Sequence, residues 1–155
     1  SLGAYHHLSG QIEMAKRNYL AALDILEKCW EFYQRVPRVL DRSYILLDLA
    51  RVELELEKES RDTIEYVTPG KWLCKLESHS FERDLPGIRM QAALLKSEFY
   101  QKHGQFKDAQ ATLQDALSIT ESKGVATLRR KINERIRELN QLLRDASVSS
   151  KKRKE

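Results

Sequence analysis

Long apolar runs are missing from this sequence. No stretch approaches the ~20 residues that a membrane-spanning helix needs. No basic region followed by an apolar stretch opens the chain, so no signal peptide is visible. Cysteine is scarce: Cys29 and Cys74 are the only two in 155 residues, too few for a disulfide framework. Their apolar neighbours favour buried, reduced thiols in a cytosolic or nuclear protein. Gly-rich phosphate loops and Cys pairs at zinc-ligand spacing are also lacking. His6, His7, His79 and His103 are scattered along the chain, and adjacent His6 and His7 point to different sides of a helix, so no metal or other cofactor is expected. A Cys–His nucleophile pair needs a cleft and proximity, and nothing in the spacing supplies either. Glu53, Glu55, Glu57 and Glu59 alternate around a helix end rather than converging as a catalytic pair, and most are expected on a solvated face. No enzyme is expected.

Charge and helical periodicity remain. Charged residues make up 32% and apolar residues 41%, a balance that suits a soluble, helix-rich chain long enough to bury a core. The charge is uneven. Residues 124–155 hold ten Lys/Arg and four Asp/Glu, whereas residues 1–123 hold 17 and 19. The basicity therefore belongs to the C-terminal segment.

Periodicity predicts all-α structure. Ile12, Ala15, Tyr19, Ala22, Leu23, Leu26, Trp30 and Tyr33 recur at steps of three and four, so one helix is expected over 11–35, stopped by Val36-Pro37. A second helix, capped by Asp41 or Ser43, should run to about Lys58. Its apolar residues fall on more than one side, as expected of a central, multiply packed helix. Ser60 to Val67 reads as a short helix and residues 69–78 as another, with the main loop from Ser78 to Gly87. Residues 88–103 and 105–122 form a hairpin turned at Gly104. Leu128, Ile132, Ile136, Leu139 and Leu143 make one stripe on a last helix over 125–146. Residues 147–155 lack a core pattern and are expected to be disordered.

The hairpin has an apparent earlier copy. At an offset of 94 residues Gly10 falls on Gly104, Gln11 on Gln105, Ala15 on Ala109, Ala22 on Ala116 and Leu23 on Leu117. Leu2-Gly3, Gly10, Ala15, Tyr19 and Ala22, and again Ser97, Tyr100, Gly104, Ala109, Leu113 and Ala116, sit at spacings that resemble the tetratricopeptide repeat (TPR). The Pro that usually closes the second helix is missing from both copies. The early copy lacks most of its first helix, and residues 1–9 start inside a pattern, as a piece of a longer protein would. The middle repeat, over 38–80, has no recoverable register. The resemblance implies antiparallel hairpins stacked as a short α-solenoid over 1–146, with a C-terminal capping helix.

It also implies an interaction scaffold, in which first helices line a groove for a partner peptide or helix. On the clear hairpin the groove positions would be Gln91, Leu94, Glu98, Gln101 and Lys102; alternatively these pack neighbouring repeats of the parent protein. The carboxylate clamp of chaperone-binding TPR domains is not evident. Uncovered apolar surface near residues 1–9 predicts weak self-association. The other function class is nucleic-acid binding by the basic C-terminal helix and tail, although no aromatic residue follows Phe106 to act as a stacking platform. Lys151, Lys152, Arg153 and Lys154 resemble a nuclear localisation signal read in extended chain, which places the protein in the nucleus, or in cytoplasm and nucleus.

Overall fold

A computed structural model describes residues 2–59, 68–118 and 126–154. Among them are seven α-helices and no strand, so the chain is all-α. The short helix expected over 60–67 and the break at Gly124 lie outside the described residues. The chain divides into two compact units, Ser1–Asp84 and Leu85–Glu155, where one repeat domain over 1–146 was expected.

The first unit contains α1 (Leu2–Ala15), α2 (Tyr19–Tyr33), α3 (Val39–Glu59) and α4 (Lys71–Glu82). Ala22, Leu26, Cys29 and Tyr33, at steps of four, three and four, make the buried stripe of α2. On α3, Ile45, Leu46, Leu49, Ala50, Val52 and Leu54 are buried, more than one face can hold, and the helix packs against α1, α2 and α4. That is the central role expected from its all-round apolarity. Trp72, Leu73 and Leu76 bury the inner face of α4. This helix runs to Glu82, and α5 begins at Pro86, so the loop expected over 78–87 shrinks to three residues.

The expected single helix over 11–35 is broken. Its stripe continues across a tight turn at residues 16–18, because both flanking helices face the same core. Gly10 lies inside α1, not at a turn. A Cβ there would stand 2.7 Å from Leu26 Cδ2 and 2.8 Å from Leu26 Cγ, so the glycine lets α1 approach α2 closely.

The second unit contains α5 (Pro86–Lys102), α6 (Phe106–Leu117) and α7 (Ala126–Lys154). Pro86 occupies the first turn of α5, where its missing N–H costs nothing. Met90, Ala109, Leu113, Ala116, Ile132 and Leu139 form the buried core; Leu94, Tyr100, Phe106, Leu128 and Ile136 pack around it. The turn after α5 is at Gly104, as expected, with φ of 73°. The expected disorder of residues 147–155 is not observed: α7 continues through Lys154. Residues 147–153 are exposed, and Ser-Val-Ser-Ser-Lys-Lys-Arg contains no Pro or Gly to stop a helix already propagating.

The two units share one pattern at an offset of 87 residues, not 94. At 87, α1 and α5 end together (Ala15, Lys102) and α2 and α6 start together (Tyr19, Phe106). Gly10 matches Ser97, Ala22 matches Ala109, Leu26 matches Leu113 and Cys29 matches Ala116, and all eight are buried. Ile45 and Ile132 match, as do Val52 and Leu139, each wholly buried. Even the turns match. Asn18 N–H donates to the Glu13 carbonyl (2.9 Å) and Gln105 N–H to the Tyr100 carbonyl (2.8 Å), the six-to-one bond of a Schellman cap. The earlier offset is wrong by one heptad. Seven residues turn a helix to within about 20° of two full turns, so a slip of seven keeps the apolar stripe in place while moving every helix end.

Candidate interaction surfaces

The five expected groove residues lie on α5 but do not form a free groove. Leu94 packs against the core of the second unit. Gln101 Oε1 accepts a hydrogen bond from Arg135 Nη1 of α7 at 3.1 Å. Glu98 and Lys102 pair with each other at 3.1 Å, half-buried, and Gln91 is half-buried nearby. Thus α7 takes up part of the face that the sequence assigned to a partner, and Glu98, Lys102 and Gln91 remain partly accessible.

The first unit builds the equivalent contact from residues that sequence reasoning passed over. His7 Nε2 lies 2.7 Å from Asp48 Oδ2, and Gln11 Nε2 donates to the same oxygen at 3.0 Å. His7 and Gln11 are one turn apart on α1, and together they hold one carboxylate of α3. At the 87-residue offset Asp48 corresponds to Arg135. The α1–α3 and α5–α7 contacts therefore use one position with opposite charge. The correct offset was the signal that could have revealed this.

Glu53 is not on a solvated face. Its Oε2 accepts from Trp72 N–H (3.1 Å) and its Oε1 from Leu73 N–H (3.3 Å). These are free amides of the first turn of α4, whose N-cap, Gly70, offers no side chain. The carboxylate supplies the missing acceptor and complements the positive helix end. An open cleft of about 290 Å³ lies beside it, lined by Leu23, Glu53, Leu56, Glu57 and Trp72.

The cysteines divide. Cys29 is buried, and burial, with Asp41 and Asp48 nearby, pushes its thiol up to about 11, so it stays protonated and inert. Cys74 is exposed, because it sits on the outer side of α4, across the helix from buried Trp72 and Leu76; the expectation that both are buried is corrected. Among the described residues no group of three or more His, Cys, Asp or Glu converges as metal ligands. No helix among them is long and apolar enough to cross a membrane.

Two outer surfaces stand out. Leu2, Tyr5, Leu8 and Ile12, on one side of α1, are 66, 66, 56 and 45% exposed. On α7, Arg130, Arg137, Arg144 and Lys151 are exposed at seven-residue steps. Lys151, Lys152 and Arg153 are exposed in the last turns of α7, and Lys154 is its last helical residue. They stand in helix rather than in the extended chain expected of a localisation signal.

Compared with known proteins, the chain matches no family model, no curated protein and no solved structure.

Proposed function

We propose that this chain is a protein–protein interaction scaffold of TPR-like helical pairs. In this reading α1–α2 and α3–α4 of the first unit and α5–α6 of the second are helical pairs of the TPR-like α-solenoid kind, and α7 is the capping helix. The observation that carries it is the recurrence of buried small residues, turns and helix ends at 87 residues. Repeats of this kind leave apolar surface on each pair for a neighbour or partner to cover. The partner is a peptide or helix, met in the nucleus or in cytoplasm and nucleus, and the accessible groove positions are Gln91, Glu98 and Lys102. No catalytic role is assigned.

The test is capture of partners by the full chain, compared with a Glu98→Lys, Lys102→Glu double variant. Swapping the charges keeps the ion pair but inverts the surface. Partners lost on the swap while folding is unchanged support the scaffold; partners captured equally by both chains would remove these residues from the site. The exposed row on α1 supports a second expectation of the same reading, weak self-association, to be measured by sedimentation at high concentration. The nucleic-acid alternative draws on the basic α7. Its affinity would come from phosphate neutralisation alone, since α7 carries no aromatic residue.

A further inference from the structure

The matching of α7 with α3 gives the basic row a structural meaning. On α3, Ser43, Leu46, Ala50, Glu53 and Glu57 lie at steps of three and four along one face. Ser43 Oγ is 2.8 Å from His79 Nε2, and Glu53 bonds Trp72 and Leu73. Both contacts are with α4, at opposite ends of it, so α4 lies along this face. The corresponding residues of α7 are Arg130, Asn133, Arg137, Asn140 and Arg144. Leu46 and Ala50, buried, become Asn133, half-buried, and Arg137, exposed. The face that takes a helix in the first unit is thus present in the second with its apolar residues replaced by cations and amides.

We propose that this face of α7 docks an acidic helix in the manner in which α3 takes α4, with carboxylates of the partner at seven-residue spacing opposite Arg130, Arg137 and Arg144, and opposite Lys151 where the row runs on past the length of α3. This rests on the scaffold reading and gives it a second surface with a partner of stated chemistry. The four cations are in line along one helix, about 10 Å apart per heptad and spanning about 31 Å. A helix with Asp or Glu at every seventh position repeats at the same interval. Charge complementarity selects it over an apolar helix, which would leave three guanidinium groups buried and unpaired. Of the carboxylates of α7, Glu138 pairs with Arg135 and Asp145 accepts from Gln141; Glu134, one turn from both Arg130 and Arg137, sets one negative charge against the four cations of the row. Asn140 is held by Gln110 of α6, which fixes the middle of the face. Arg144 Nη2 donates to Gln141 Oε1 at 2.8 Å, leaving its other nitrogens for a partner.

The experiment measures binding of the full chain to three labelled probes by fluorescence anisotropy. The first is a helical peptide with Glu at every seventh position. The second is the same composition with the Glu residues spread around the helix. The third is a 20-base-pair duplex. The aligned peptide is expected to bind at least tenfold more tightly than the scattered one. Arg130→Glu, Arg137→Glu and Arg144→Glu together should abolish binding, and the same three changed to Gln should weaken it, both with unchanged helical circular dichroism. Equal binding of the two peptides would overturn the proposal. So would tighter binding of the duplex, which would assign the row to phosphate, or undiminished binding by a folded triple variant. If the aligned peptide fails while the Glu98–Lys102 swap still loses partners, the scaffold reading stands and only the acidic-helix surface falls.

Discussion

Arg17 and Gly104 occupy the same position in two copies of one turn, with φ of 62° and 73°. Each follows a helix end and precedes the residue whose N–H closes the Schellman cap. Glycine adopts this conformation without strain; a side chain costs about 1 kcal/mol or more there. The first unit carries that strain and the second does not.

Arg17→Gly should therefore stabilise the first unit by about 1 kcal/mol, and Gly104→Arg should destabilise the second by about 1–2 kcal/mol. Thermal unfolding of each variant against the parent measures both. A fall in midpoint for Arg17→Gly would show that the arginine side chain contributes more than its backbone strain removes.

A glycine inside a helix usually gains about 1 kcal/mol when replaced by alanine. Gly87, near the start of α5, has nothing within 4 Å of an added Cβ, so Gly87→Ala should stabilise by up to that amount. Gly10→Ala should do the opposite. Its Cβ would meet wholly buried Leu26, and overpacking costs about 1–3 kcal/mol. Denaturant midpoints of the two variants should move in opposite directions. A rise in both would mean that α1 is free to move away from α2.

His79 ties the stability of the first unit to pH. Burial lowers its pKa from the ordinary value, helped by Arg42 and Arg83, while the Val39 backbone and Glu82 oppose the shift. The unfolded chain therefore binds a proton more readily than the folded one. Stability from the neutral imidazole is full above the unfolded value of about 6.5 and is lost as pH falls from there through the lower folded value. The unfolding midpoint should drop from pH 7 to pH 5.5, and His79→Gln, which keeps a donor toward Ser43, should flatten that drop. An unchanged pH slope in the variant would move the titration to another group.

The basic end of α7 should act as a nuclear import signal. A receptor that reads extended chain must unwind the last turns, and helix ends fray readily. Residues 144–155 fused to a cytoplasmic reporter too large for passive diffusion should carry it into the nucleus. Lys152→Ala with Arg153→Ala should return it to the cytoplasm. Phosphate on Ser149 or Ser150 adds about −1.5 to −2 charge and should weaken import. A reporter that stays cytoplasmic with the native residues would end the idea.

Several features were fixed by the chain itself. The all-α class follows from apolar residues at steps of three and four. The hairpin at Gly104 follows from the one glycine placed between two such stripes. The stripe of α7 could be read from Leu128, Ile132, Ile136 and Leu139, because a single apolar face needs no knowledge of its partner. Helix ends and register were a different matter. The turn at residues 16–18 uses Arg17 in a glycine conformation, so composition gives no sign of it, and Gly10, the visible glycine, serves helix contact instead. The heptad slip from 87 to 94 could not be detected along the chain, because both offsets superpose the same stripe; only the positions of the turns in space separate them. Glu53 looked like a surface residue and His7 showed no role, since the amides and carboxylate that they bind are 19, 20 and 41 residues away. Local periodicity says which side of a helix is buried. Which neighbour covers it, and where each helix stops, depends on contacts between segments far apart in sequence, and those only the tertiary structure decided.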